Sequence, residues 1–126
     1  MVEREKSQKK VMVIDDEPAV VEQFSMLLSG SGYKPIAAAG ALEAMSLLTS
    51  EQPDLVILDI RMPRLDGFEF LRSLRQSART KNLPVIIVSA LSDAELRLRA
   101  KEMGAVRYLV KPYKPDELID SIKSLI

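Results

Sequence analysis

The 126-residue sequence contains no histidine and no cysteine. Without imidazole there is no histidine general base, no imidazole metal ligand and no phosphohistidine relay within the chain. Without thiols there is no disulfide framework and no thiolate zinc site, which fits a cytoplasmic protein. Net charge is also missing, because 18 lysines and arginines balance 18 aspartates and glutamates. The basic footprint of a nucleic-acid binder is therefore absent. No apolar run approaches the roughly 20 residues that span a bilayer. The first ten residues, MVEREKSQKK, are polar and lack the apolar core of a signal peptide. Internal repeats, low-complexity tracts and linkers are not evident.

What remains is a composition of 47% apolar and 29% charged residues, that of a soluble globular domain. The length suits one domain with a real core. Residues 1–9 read as a polar leader and 10–126 as the ordered domain. Along it, short apolar runs alternate with helical patterns. VMVID (11–15) reads as a strand. PAVVEQFSMLLSG (18–30) places Val20, Phe24, Leu27 and Leu28 at helical spacing, with Pro18 in the first turn and Gly30 or Gly32 at the end. YKPIAA (33–38) is a strand whose Pro35 favours an edge. GALEAMSLLTSE (40–51) is helical, with Leu42, Met45 and Leu48 or Thr49 on one side. DLVILD (54–59) is the strongest strand. GFEFLRSLRQ (67–76) sets Phe68, Leu71, Leu74 and Arg75 at helical spacing. PVIIVSA (84–90) is another continuous apolar strand. SDAE (92–95) is a capping box for a helix that Gly104 closes. AVRYLVK (105–111) is a fifth strand. PDELIDSIKSLI (115–126) is a last helix with Leu118, Ile119, Ile122 and Leu125 inward. Five strand–helix repeats with unbroken apolar strands predict an α/β fold: a doubly wound parallel sheet with helices on both faces.

The polar residues fall at the carboxyl ends of these strands. The first strand ends in Asp15-Asp16-Glu17, the third in Asp59 and the fourth in Ser89, and the fifth runs into Lys111-Pro112. Open α/β sheets bind ligands outside those ends, so these groups should converge on one pocket. Clustered carboxylates repel by roughly 4 kcal/mol per pair at about 4 Å and an effective dielectric near 20. Either one carboxylate is protonated, or a cation sits among them. Oxygen ligands alone select a hard ion: Mg²⁺, with Mn²⁺ or Ca²⁺ as alternatives. A hard cation, a carboxylate oxygen, a hydroxyl and an ammonium suit a phosphoryl group. Each residue alone has a plainer reading. The acidic triplet before Pro18 could cap a helix, Asp59 could sit in a loop, Ser89 could close a strand end, Lys111 could be solvated and Tyr108 could simply pack. Five coincident strand-end placements favour the site.

The motifs VIDDEP, LVILDIRMPRLDGFEFL, PVIIVSA and GAVRYLVKPYKPDEL resemble those of the response-regulator receiver domains of bacterial two-component signalling, the group that includes the chemotaxis regulator. The resemblance spans residues 10–126. It implies a flavodoxin-like five-stranded parallel sheet in the order 2-1-3-4-5, between two helices and three. It implies that Asp59 accepts the phosphoryl group, that Asp16 binds Mg²⁺ directly and Asp15 mainly through water, and that the Arg61 backbone carbonyl completes the ligands. Ser89 would hydrogen-bond a phosphoryl oxygen, and Lys111 would pair with the acceptor and then the phosphoryl group. The Lys111-Pro112 bond would be cis, and Ser89 and Tyr108 would form a switch pair. The chain would be no enzyme beyond its own phosphorylation and dephosphorylation. Its donor would be a sensor histidine kinase or a histidine phosphotransfer protein acting in trans. Its output would pass to a target protein or a covalently linked effector domain, with no direct contact to nucleic acid or membrane. Arg61 and Leu91 occupy positions of variable identity that could set the lifetime of the phosphorylated state.

The fourth helix carries two apolar stripes, Leu91, Ala94 and Leu98 against Leu96, Ala100 and Met103, and a sheet can bury only one. Leu96, Ala100 and Met103 with Tyr108 are the candidate partner surface, joined to the fifth strand and fifth helix in a homodimer or target contact. Two other classes fit less well. A haloacid-dehalogenase-type hydrolase needs an acid two residues after its nucleophile, where this chain has Arg61. A flavodoxin-like flavin carrier needs a phosphate-binding loop where this chain has DDEP. A receiver that works without phosphorylation is the third alternative. The sequence is equally that of a single-domain regulator or of a receiver taken from a longer chain.

Overall fold

The computed structural model describes residues 8–62, 65–90 and 94–126, with the backbone alone at 61, 62, 65 and 66. Five parallel strands build the main sheet: β1 (Lys10–Ile14), β2 (Lys34–Ala38), β3 (Leu55–Leu58), β4 (Val85–Ser89) and β5 (Arg107–Val110). Their order is 2-1-3-4-5, as the resemblance implies. Five helices alternate with them: α1 (Pro18–Gly30), α2 (Ala41–Glu51), α3 (Gly67–Gln76), α4 (Ala94–Glu102) and α5 (Pro115–Leu125). The main departure is a short antiparallel pair, Arg61–Met62 with Leu65–Asp66, in what reads from the sequence as a loop. Just before β1, the Lys9 carbonyl accepts a 2.8 Å bond from the Lys34 N–H of β2.

Successive strand residues point to opposite faces. Here both faces are apolar. Met12, Ile14, Val56, Leu58, Val85 and Ile87 enter one buried cluster, against residues of α2, α3 and α4. Val11, Val13, Leu55, Ile57, Ile86 and Val88 enter the other, against residues of α1 and α5. This is the physical content of the unbroken apolar runs, and each fully buried aliphatic side chain contributes about 1.5–3 kcal/mol. Pro35 lies on β2, an edge strand, where its missing N–H costs no ladder bond.

Two helices present faces other than those expected from the sequence. On α2, Leu42 is 89% exposed and Met45 is 46% exposed, while Ala44 is fully buried. Ala41, Leu47 and Leu48 pack beside Ala44 on the core. On α4, Ala100 is fully buried and Leu96 and Met103 pack on the core, whereas Leu98 is 57% exposed. Leu96, Ala100 and Met103 are therefore the inward stripe, which corrects their assignment to a partner surface. Tyr108 is half-buried against the same core. The exposed stripe is Ala94 and Leu98; Leu91 and the first two residues of the SDAE box lie outside the described residues. On α2 an alanine lets the helix approach the layer beneath it more closely than a leucine would.

The end of α4 is tied to α3 by one side chain. The Arg75 guanidinium donates to the carbonyls of Thr80 (3.0 Å), Lys81 (3.2 Å) and Gly104 (2.8 Å). Gly104 has φ of +97°, and a Cβ there would stand 2.5 Å from Arg75 Nε. Gly104→Ala should lower unfolding stability in urea by about 2–4 kcal/mol, from the left-handed backbone and the displaced guanidinium together. A loss below about 1 kcal/mol would show that Arg75 can move aside at little cost.

Candidate functional site

Each candidate side chain is delivered by a strand end. The Asp15 N–H bonds to the Ala38 carbonyl (3.1 Å), which fixes the residue just past β1. Its Oδ1 accepts from the Glu17 N–H (3.0 Å), turning the chain into α1 at Pro18. Asp15 is thereby 3% exposed, while Asp16 and Glu17 face solvent. One carboxylate oxygen from each of the three lies within 4.8 Å of the others. Burial raises the Asp15 carboxyl above the usual carboxylate range, the bond from Glu17 opposes this, and the nearby charge of Asp59 raises it further.

Asp59 follows β3, and its N–H reaches the Ile14 carbonyl at 3.5 Å. Its Oδ2 lies 3.3 Å from the Lys111 ammonium, with 16% of the Asp59 side chain and 30% of the Lys111 side chain exposed. The pair is thus sheltered yet reachable. Lys111 is placed by its own backbone, whose N–H donates to the Ser89 carbonyl at 2.8 Å and continues the β4–β5 pairing. Its bond to Pro112 is cis. Ser89 ends β4 and is fully buried. In the parallel register Ser89 pairs with Val110 and Ile87 with Tyr108, so the two expected switch residues lie on adjacent strands, two positions apart.

Beyond Asp59 the chain folds back on itself. A Cβ at Gly67 would stand 2.6 Å from Ile60 Cα, so the start of α3 abuts the residue after Asp59 and only glycine fits. Arg61 lies in the short antiparallel pair, opposite Asp66. Leu91 lies outside the described residues. Asp15, Asp59 and Lys111 are thus coupled by charge, and Ser89 joins them through the backbone. Sequence reasoning missed Tyr113, two residues past Lys111, whose ring stacks on Phe24 of α1 with centroids 6.2 Å apart and planes at 17°. The aromatic directly after KP was the available signal.

The donor set suits a hard divalent cation. It is all carboxylate oxygen, its members are close enough to share one ion, and its buried member is raised partly by a neighbouring negative charge. Among the described residues, no helix is long and apolar enough to cross a membrane.

Comparison with known proteins agrees with this geometry. Residues 11–123 match the model of the response regulator receiver domain. The chain is 41% identical over 118 residues to the probable transcriptional regulator ycf27 of Porphyridium aerugineum, covering 94% of this chain and 48% of that protein. It is 32% identical over 118 residues to sporulation initiation phosphotransferase F of Bacillus subtilis, covering 94% of each. The chain thus spans about half the length of the transcriptional regulators it matches, and nearly all of the phosphotransferase. Among solved structures, Vibrio cholerae chemotaxis protein CheY4 superposes with a TM-score of 0.89 at 28% identity, covering 95% of this chain and all of that one. The receiver domain of Francisella response regulator 1452 gives 0.86 at 33% identity, covering 94% and 96%. The chain belongs to the response regulator receiver domains of two-component signalling.

Proposed function

We propose that Asp59 takes a phosphoryl group from a phosphohistidine on a separate protein, and that Lys111 and the acidic cluster supply the electrostatics of transfer. The observation that carries this is the 3.3 Å contact between the Lys111 ammonium and Asp59 Oδ2, beside Asp15. An Asp59 carboxylate oxygen attacks phosphorus, the bond from phosphorus to the donor imidazole breaks, and its electron pair stays on that nitrogen. The product is an acyl phosphate. Lys111 neutralises charge developing on the phosphoryl oxygens. The Ser89 hydroxyl is the hydrogen-bond donor assigned to one of those oxygens. Water later attacks phosphorus, releasing inorganic phosphate and restoring the carboxylate. The chain acts on its own side chain alone and is in that sense no enzyme.

Asp15 and Asp16, with Asp59 and the Arg61 carbonyl, would hold Mg²⁺, with Mn²⁺ as a substitute. When bound, the ion offsets the negative charge gathered around the transferring group. Tyr108 is assigned the second half of the switch, moving with Ser89 when the acceptor gains charge. The donor is a sensor histidine kinase or a histidine phosphotransfer protein. The output face is α4, β5 and α5, where Leu98 and Val106 are exposed, and it serves a target, a second copy or an attached effector domain. The setting for this exchange is the cytoplasm.

Incubation with acetyl phosphate and Mg²⁺, followed by intact mass and peptide mapping, tests the proposal. One phosphoryl group should appear, on the peptide containing Asp59, and should fail to form when the metal is chelated beforehand. An unmodified protein, or a phosphoryl group mapped elsewhere, overturns it.

A further inference from the structure

Lys111 is fixed at its backbone by the bond to Ser89, but its ammonium stands at the end of four methylenes. The chain then runs through Pro112, Tyr113 and Lys114 before α5 begins at Pro115. In that stretch Tyr113 packs against the buried cluster on the α1 and α5 side of the sheet. Its ring stacks on Phe24, which is 5% exposed and belongs to α1. A centroid separation of 6.2 Å at 17° is an offset stack within the range where aromatic pairs attract beyond their buried area. Lys111 and both rings line one groove of about 470 Å³. The ring pair therefore closes the loop that carries Lys111 onto the helix that follows the acidic triplet.

We propose that Tyr113, through its stack on Phe24, is a positioning residue for phosphoryl transfer: it holds the loop so that the Lys111 ammonium meets Asp59. The proposal rests on Asp59 being the acceptor. The ring, not the hydroxyl, does this. Burial pushes the phenol up to about 12, so it stays neutral across ordinary pH and brings no charge to the site. Geometry at reacting groups is costly to lose, since a displacement of about 1 Å can slow a reaction roughly a hundredfold. A loop released at one anchor and still held at Ser89 should lose on the order of tenfold.

The test compares wild type, Tyr113→Ala, Tyr113→Phe and Phe24→Leu, labelled with acetyl phosphate and Mg²⁺ over a range of donor concentrations. Urea unfolding checks that each is folded. A small donor needs no docking surface, so its rate reports the site itself. Tyr113→Ala and Phe24→Leu should lower the maximal rate on the order of tenfold with the half-saturating acetyl phosphate unchanged, and Tyr113→Phe should restore the wild-type rate. Should Tyr113→Ala fail to fold, Phe24→Leu decides, because it keeps the core filled and removes only the partner ring. Wild-type rates in both overturn the proposal. So does a Tyr113→Phe rate as slow as that of Tyr113→Ala, which would move the role to the hydroxyl. A loss seen only with a phosphohistidine protein as donor also overturns it, making the rings part of a docking surface. Wild type that takes up no phosphoryl group defeats the acceptor assignment itself, a result distinct from these.

Discussion

Asp59→Asn is expected to take up no phosphoryl group under conditions that label the wild type fully. Asparagine keeps the shape of the side chain at the end of β3, so the strand and the abutment of Gly67 on Ile60 are undisturbed. What it lacks is the anionic oxygen proposed to attack phosphorus. The contact at 3.3 Å from Lys111 loses its charge at the same time. A second readout is independent of any donor. The Asp15 carboxyl is raised first by burial and then, after the opposing bond from Glu17, by the charge of Asp59. Removing that charge favours the ionised form, so Asp15 should titrate lower in Asp59→Asn, as followed by carboxyl carbon NMR. An adduct on Asp59→Asn equal to that on wild type would show that the acceptor lies elsewhere. An unmoved Asp15 would show that the two carboxylates are not neighbours in solution.

Lys111→Met should slow labelling of Asp59 by about a hundredfold to a thousandfold, the usual cost of deleting one preorganised group that faces developing charge. Methionine keeps most of the length and apolar bulk of the stem, so the groove beside Tyr113 and Phe24 stays lined. The loss should fall on the maximal rate more than on half-saturation, because the ammonium matters most when charge builds on the phosphoryl oxygens. Lys111→Arg should recover only part of the rate. It restores the charge, but a planar fork replaces a point charge held 3.3 Å from one oxygen. A Lys111→Met rate within threefold of wild type would mean that the pair is structural.

The sheet was legible because LVIL and VIIV leave no alternative to burial on both faces, and their polar successors could only emerge at the carboxyl ends of the strands. The convergence of Asp15, Asp59, Ser89 and Lys111 follows from parallel strands sharing one direction. The helix faces were less legible. A pattern of large apolar residues nominates Leu42 and Met45 on α2, yet close packing chose Ala44. On α4 the two stripes are alike in composition, and the one with Leu96, Ala100 and Met103 turned inward while Leu98 stayed outside. Periodicity reports which residues share a face, not which face a neighbouring layer will accept. The pair at 61–62 and 65–66 was not legible either, because RMPRLD shows no alternation and each strand is two residues long. Arg75 read as one member of a helical stripe. Its three carbonyl partners depend on where a loop and the end of another helix arrive.

The contact between Gly67 and Ile60 bears on how the chain tolerates change in length. The two residues touch, so the segment between them leaves and re-enters the domain at one place. Such a segment is an excursion with a fixed gate. The paths of β3 and α3, and with them the place of Asp59, are pinned to one another at that contact. An insertion before Ile60 would shift Asp59 out of the register that ties it to Ile14. A substitution at either side of this gate is therefore felt at Asp59, the residue next to Ile60.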